Sequence, residues 1–105
     1  MQKRNPYKSR KLLNKIAQLP CVRCGKDDGT IVPAHYSGDL QHLLGKGMGS
    51  KCTDAAVAAL CYDCHSHMDQ FKDGNTVDRS EEFLYLIVIT HELLFKNESI
   101  KVVNK

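Results

Sequence analysis

The chain has 105 residues, which is enough for one small domain with a thin hydrophobic core. Its apolar share of 42% excludes a disordered tail, and the longest apolar run, around residues 83–90, is too short to span a membrane. The net charge is only +3, yet the first 26 residues carry eight basic side chains and no acidic one. Such a block suits the phosphate backbone of nucleic acid, and a solvated helix face is the alternative.

The basic N-terminal segment, residues 1–19, predicts a flexible arm followed by a helix. Asn5 and Pro6 are typical of an N-cap and a first helical position, so we expect the helix from residue 7 to about residue 18. Apolar residues recur at helical spacing along one side, and Pro20 ends the helix. The cations away from that side are candidate nucleic-acid ligands, and they are Lys8, Arg10, Lys11 and Lys15.

Two Cys-x2-Cys pairs form the most specific pattern in the chain. Cys21, Cys24, Cys61 and Cys64 can supply the four thiolates of a closed, structural zinc site, whose binding energy would be folding energy. Cys52 lies outside this pattern. The basic start is followed by no long apolar run, so we expect a reducing cytoplasm. In that reducing compartment, paired cysteines indicate metal more often than disulfide.

The segment between the two cysteine pairs predicts two strands joined by a long loop. Residues 30–36 favour a strand in which Pro33 indicates an edge position or a bulge. A glycine-rich loop follows, in which Lys46 and Lys51 are candidate phosphate ligands. Residues 56–60 favour a second strand, although their alanines also suit a helix. A short helix is then expected over residues 64–71.

The C-terminal part predicts one long helix within residues 79–97, from Arg79 to about Phe95. Asp78 as N-cap and Glu81 three positions later form a capping arrangement. The β-branched residues 87–89 leave a strand there as a weaker alternative. The expected packed stripe comprises Leu84, Ile87, Val88, His91, Leu94 and Phe95, widened by Phe83 and Leu86.

Two histidines outside the cysteine pattern are candidates for phosphate chemistry. His65 and Asp69 are four residues apart on the predicted helix and could hold a divalent cation that keeps open positions for a phosphate. A solvated surface pair is the alternative. His35, on the first strand, could take a proton from water as a general base, and a satisfied core histidine is the alternative. The combination of both histidines with two strands and a helix favours the catalytic interpretation.

Several stretches together resemble one family. They are Val32-Pro-Ala-His35, Gly45-Lys-Gly-Met-Gly-Ser-Lys51, Asp54 and Cys61-x-x-Cys-His65-x-x-x-Asp69. This order resembles the ββα-metal (HNH-like, His-Me finger) nucleases and, more closely, the small prophage-encoded nucleases of the YbcO-like type. The resemblance runs from about residue 21 to residue 69. It implies an α+β fold with a zinc-stabilised, treble-clef-like ββα-metal core over residues 20–72, flanked by the N- and C-terminal helices.

The resemblance also implies roles for individual residues. His35 would be the general base, His65 a ligand of the catalytic cation, and the four cysteines the ligands of the structural zinc. Asp54 would orient His35 or bind metal. Many members carry an acidic residue or histidine as a cation ligand directly before the base, where this chain has Ala34. The second ligand must therefore come from Asp69 or Asp54.

The implied function is metal-dependent endonucleolytic cleavage of DNA, of a phage recombination or DNA-processing type. The implied cofactors are structural Zn²⁺ and a catalytic Mg²⁺ or other divalent cation, and the partner is DNA rather than a membrane. One alternative is a zinc-containing module that binds nucleic acid without cutting it, which Ala34 favours. Another is an interaction protein whose long apolar helix docks a partner or forms a homodimer.

Overall fold

The computed structural model describes residues 6–38, 41–45, 51–69 and 76–103. Within these ranges the fold is α+β, with three α-helices and a two-stranded sheet. None of the helices there is both long and apolar enough to cross a membrane. The elements in chain order are α1 (Arg10–Ile16), β1 (Val32–His35), a 3-10 turn (Gln41–Leu44), β2 (Val57–Leu60), α2 (Tyr62–Asp69) and α3 (Thr76–Lys96).

The two strands form an antiparallel hairpin in which His35 is opposite Val57 and Pro33 is opposite Ala59. The backbone groups of Ala59 point out of the hairpin, because its N–H donates to Thr90 Oγ1 at 3.1 Å and its carbonyl accepts from Val22 at 2.9 Å. Pro33 therefore occupies a pair with no ladder hydrogen bond, where its missing N–H costs nothing. The predicted edge position is confirmed, and the helical alternative for residues 56–60 is wrong.

Helix α3 covers β2, whose four residues are all buried. The small alanines of β2 allow the helix backbone to approach, and Thr90 joins the two elements by donating to Leu86 O at 2.8 Å while accepting from Ala59. Phe83 completes the core with an edge-to-face contact to Tyr36, at 5.6 Å between ring centroids.

The structure corrects the expected details of α3. The helix begins at Thr76, so Asp78 lies in its first turn and is not the N-cap. The strand alternative for residues 87–89 is also wrong, because they are helical. From the expected stripe, Leu84, Val88 and Phe95 are 42%, 60% and 49% exposed. The buried residues among those described in the helix are Ser80, Phe83, Leu86, Ile87, Thr90 and Leu94.

Helices α1 and α2 also differ from expectation at their N-termini. Helix α1 begins at Arg10 rather than residue 7, because the Ser9 side chain accepts from Leu12 N at 3.1 Å and caps it. Tyr7 and Ser9 are instead hydrogen-bonded through their backbone to residues 53–54. The expected cap, Asn5, lies outside the described residues. Helix α2 begins at Tyr62, two residues earlier than expected.

Candidate functional site

The four paired cysteines come together where the hairpin meets α2. Their Sγ atoms all lie within 4.8 Å of one another, and the Sγ atoms of Cys24 and Cys61 are 3.7 Å apart. Tetrahedral zinc with Zn–S bonds of about 2.3 Å places its sulfurs about 3.8 Å apart, so the cluster has the dimensions of a zinc site with four cysteine ligands. The four residues could therefore hold a metal ion such as zinc.

The backbone around the Cys21-x2-Cys24 pair stabilises the thiolate form of Cys21. Burial raises the pKa of Cys21, but hydrogen bonds from backbone N–H groups, chiefly that of Cys61, outweigh it and lower that pKa to about 6. Gly25 has φ of +82°, which allows the tight turn in which its N–H bonds to Cys21 O at 2.9 Å. Burial raises the pKa of Cys64 to about 12, and the neighbouring thiols add to this effect. A metal ion would have to displace the proton of Cys64.

Arg23 supports the cysteine cluster from outside. Its Nη1 lies 3.6 Å from Cys64 Sγ, and its Nε donates to Glu82 Oε2 at 3.0 Å. These two contacts raise the pKa of Arg23, and the contact to Cys64 has the larger effect. The guanidinium therefore links the cysteine cluster to α3. The sequence gives no signal for this contact, since Glu82 is 59 residues away along the chain.

His35 and Asp54 form a hydrogen-bonded pair at the end of β1. His35 Nε2 lies 2.8 Å from Asp54 Oδ1, and the two side chains are 12% and 5% exposed. The other carboxylate oxygen, Oδ2, accepts from the backbone N–H of Ser9 at 2.7 Å. Burial raises the pKa of Asp54, but the hydrogen bonds from His35 and Ser9 outweigh it, so this pKa lies below its usual value.

The other ring nitrogen of His35 has different surroundings. Nδ1 is buried, and it has no hydrogen-bond partner within the described ranges. An ionised carboxylate can only accept hydrogen bonds. When the imidazole ring is neutral, Nε2 therefore carries the proton and Nδ1 carries a lone pair. A buried ring nitrogen without a hydrogen-bond partner is costly and uncommon, which sets this atom apart from the other polar atoms of the site.

His65 and Asp69 face the same region from α2. Their side chains form an i, i+4 pair with 3.1 Å between Nε2 and Oδ2, and they are 36% and 48% exposed. Partly exposed nitrogen and oxygen ligands of this kind can hold a divalent cation with open positions. His67 on the same helix is exposed and lines none of the clefts described below.

Two adjoining clefts bring these groups together. The larger has a volume of about 860 Å³, and the smaller has a volume of about 240 Å³. His35, His65 and Lys51 line both, whereas Asp54 lines the larger and Asp69 the smaller. The remaining residues of the larger cleft are Lys8, Ser9, Arg10, Leu13, Val32 and Pro33.

The expected basic ligands that the structure describes are divided between two grooves. Lys8 and Arg10 line the His35 cleft, whereas Lys11 and Lys15 line a separate groove along α1. Lys46 lies outside the described residues. Lys8 also reaches the segment before Asp54, since its Nζ lies 3.5 Å from the carbonyls of Lys51 and Cys52.

Three further residues hold the site and were not expected from the sequence. Ser9 contacts Asp54 through its backbone, which no sequence pattern reveals. Arg79 joins α2 to the end of β1, because it donates to Met68 O and Ser37 O at 3.0 Å each. The Cys52 thiol donates to Tyr36 O at 3.0 Å and lies beside the smaller cleft rather than in the metal cluster.

A comparison with protein-family models finds no match, and searches of curated proteins and of solved structures find none either. The function of this site is therefore argued from its own geometry.

Proposed function

We propose that the protein is a metal-dependent endonuclease of the HNH-like type, which hydrolyses phosphodiester bonds in DNA. The observation that carries the proposal is the His35–Asp54 pair at the wall of a cleft that also contains His65 and three cations. The hairpin, α2 and the four cysteines would form the treble-clef-like ββα-metal core that the sequence motifs imply. As the sequence resemblance implies, this activity would serve phage or prophage DNA processing in the cytoplasm of a bacterial host.

His35 is the proposed general base. Asp54 accepts a hydrogen bond from Nε2–H, which would fix the tautomer and leave the Nδ1 lone pair to take a proton from the attacking water. Both oxygens of Asp54 are already engaged, by His35 and by the Ser9 N–H. Asp54 is therefore proposed as the group that orients His35 rather than as a cation ligand.

His65 and Asp69 are the proposed ligands of the catalytic cation. The position before His35 cannot contribute a side-chain ligand, because the methyl group of Ala34 has no donor atom and is buried in the core. His65 and Asp69 offer one nitrogen and one carboxylate beside the cleft that His35 lines. A divalent ion bound there, such as Mg²⁺, would offset the negative charge that develops on the phosphate.

Cations on two elements would hold the nucleic acid over these groups. Lys8 and Arg10 approach the cleft from the segment around the start of α1, and Lys51 approaches from the segment before Asp54. Phosphate contacts from such residues position a strand without reading its sequence. The zinc cluster lies apart from this cleft, since none of its cysteines lines it, which suits a structural role.

The proposal is tested by incubating supercoiled plasmid with purified protein in the presence of Mg²⁺, Mn²⁺ or Ni²⁺. We expect nicked or linear product from the wild type and a loss of at least about 100-fold for His35→Ala, the usual scale for a lost general base. His67→Ala is the matched control, because it removes an exposed histidine from α2 without touching the clefts. Zinc content is measured first for every variant.

Cutting by wild type and His67→Ala alone would establish both the activity and the base. Equal cutting by His35→Ala would show that the base is wrong or that the preparation is contaminated. A second candidate function, a nucleic-acid-binding module without catalysis, is favoured by Ala34, which leaves the cation only two described ligands. It predicts that no variant cuts, while the wild type still shifts DNA in a gel with every cation.

A further inference from the structure

A second groove runs along α1 beside the His35 cleft. Its volume is about 430 Å³, within the range of pockets that bind small ligands. Ser9 lines both this groove and the His35 cleft, so the two meet at the start of α1. The other residues of this groove are Tyr7, Lys11, Leu12, Lys15, Ser99 and Ile100.

Tyr7 combines a fixed backbone with an exposed ring. Its N–H donates to Thr53 Oγ1 at 3.1 Å, and its carbonyl accepts from Asp54 N at 2.8 Å. The residue is nevertheless 57% exposed. An exposed aromatic ring is common on protein surfaces, but one with a backbone anchored on both sides loses little entropy when a flat ligand stacks on it. The same anchor connects Tyr7 directly to the residue that orients His35.

The groove combines apolar surface with positive charge. Leu12 and Ile100 provide apolar surface beside the Tyr7 ring, and Lys11 and Lys15 provide two positive charges on the helix. A ligand that fits both halves has a flat, apolar group joined to negative charges. A nucleotide within a DNA strand has this composition, and aromatic rings beside basic grooves are the usual binding surface for single strands.

We propose that this groove binds an unpaired base of single-stranded DNA, stacked on Tyr7, with the flanking phosphates on Lys11 and Lys15. A paired base is already stacked within its duplex and cannot reach the ring, so the groove selects unpaired segments. This inference rests on the proposed nuclease function. The substrate would then be DNA with a single-stranded segment next to the phosphodiester bond that is cleaved beside His35. The shared Ser9 allows one strand to pass from the groove into the cleft.

Fluorescence tests the stacking directly, because the chain contains no tryptophan. Tyr7→Trp is titrated with a short single strand, with a strand of the same length that lacks its bases, and with a duplex, all without added divalent cation. We expect quenching by the base-containing strand only. Tyr85→Trp on α3 is the matched control, because Tyr85 is 61% exposed and lines none of the described clefts, and its emission should not change.

Affinity measurements on two further variants complete the test. Tyr7→Ala should bind single strands about 5- to 140-fold more weakly, the range expected for one lost stacking contact, whereas Tyr7→Phe should bind like the wild type. Equal quenching by the strand without bases, or equal affinity of Tyr7→Ala and wild type, would overturn the inference. Because no cleavage is needed, quenching without plasmid cutting would refute only the nuclease, and cutting without quenching would refute only the stacking.

Discussion

The backbone N–H of Ser9 donates to Oδ2 of Asp54 at 2.7 Å, although the two residues are 45 positions apart in the chain. Ser9 also caps α1 through its side chain, so one residue both starts the basic helix and holds the carboxylate behind His35. A displacement of α1 would therefore move Asp54 and, through its hydrogen bond, His35. This coupling suits a protein in which the helix proposed to contact DNA lies beside the proposed base.

Asp54→Asn should destabilise the fold by about 1–3 kcal/mol, because an amide NH2 replaces one of the two oxygens that accept buried hydrogen bonds. The pKa of Asp54 is lower in the folded chain than in the unfolded one, so its contribution is fully present above about pH 4. It is lost as the pH falls through the folded value. Urea denaturation of both proteins should show a constant difference in the free energy of unfolding from pH 6 to 8, where the metal is still bound.

Asp63→Asn provides the control for that comparison. The Asp63 side chain is 76% exposed and pairs with Lys26 at 3.2 Å, so the substitution should change the free energy of unfolding little at any pH. The comparison stays at pH 6 to 8, because release of the metal in acid should unfold all three proteins. If the difference in the free energy of unfolding between wild type and Asp54→Asn increased as the pH was lowered from 8 to 6, the assigned direction of the pKa shift would be contradicted.

The sequence predicted the parts of this structure that depend on local patterns. The positions of helices and strands follow from hydrophobic periodicity and β-propensity. The spacing of the two Cys-x2-Cys pairs predicts the cluster of four sulfur atoms. The buried face of α3 is predicted only in part, because apolar residues occur almost all around that helix and only packing on β2 determines which of them are covered. Ser9, Arg23 and Arg79 escaped prediction because their partners are distant in sequence and are reached through backbone groups or long flexible side chains.

Removing zinc should unfold the protein. Structural zinc in small domains contributes about 10–16 kcal/mol, which exceeds the roughly 5–10 kcal/mol by which a domain of this size is stable. Purified protein should contain one zinc per chain, and a strong chelator should abolish its helical circular dichroism. Cys61→Ser should prevent zinc retention, whereas Cys52→Ala should keep it, because Cys52 donates to Tyr36 O and lies outside the cluster. Full helicity after complete metal removal would refute a structural role.

Arg23→Ala should weaken zinc binding by about 10- to 100-fold, the usual scale for groups that contact metal ligands from outside. The guanidinium stabilises negative charge on Cys64 Sγ at 3.6 Å and is itself held by Glu82. Affinity is measured by competition with a coloured chelator. Lys96→Ala is the matched control, since it removes an exposed cation that pairs with Glu92 on α3 instead of a thiolate. Equal affinities for the two variants would exclude a special contribution from Arg23.

Helix α3 is predicted to join two copies of the chain. Leu84, Val88 and Phe95 are exposed and lie on one side of the helix at spacings of four and seven residues, as in a helix-pair seam. Val88→Glu should shift sedimentation from dimer to monomer without loss of stability, because Val88 is 60% exposed. Val102→Glu, at a more exposed valine beyond the helix, should leave association unchanged. A wild-type protein that sediments as a monomer at all concentrations would refute this interface.

The cations of α1 should determine the salt dependence of DNA binding. Each phosphate contact contributes a slope of about −0.7 to −0.9 in a plot of log affinity against log salt, because binding releases condensed counterions. Arg10→Ala at the His35 cleft and Lys11→Ala at the second groove should each reduce the slope by about that amount. Lys96→Ala is the control, since Lys96 pairs with Glu92 on α3 and lines none of the described clefts. The titrations use single strands without divalent cation, so that cleavage does not disturb the equilibrium. Unchanged slopes in both α1 variants would show that the basic N-terminal segment is a solvated helix face and that the DNA, if bound, lies elsewhere.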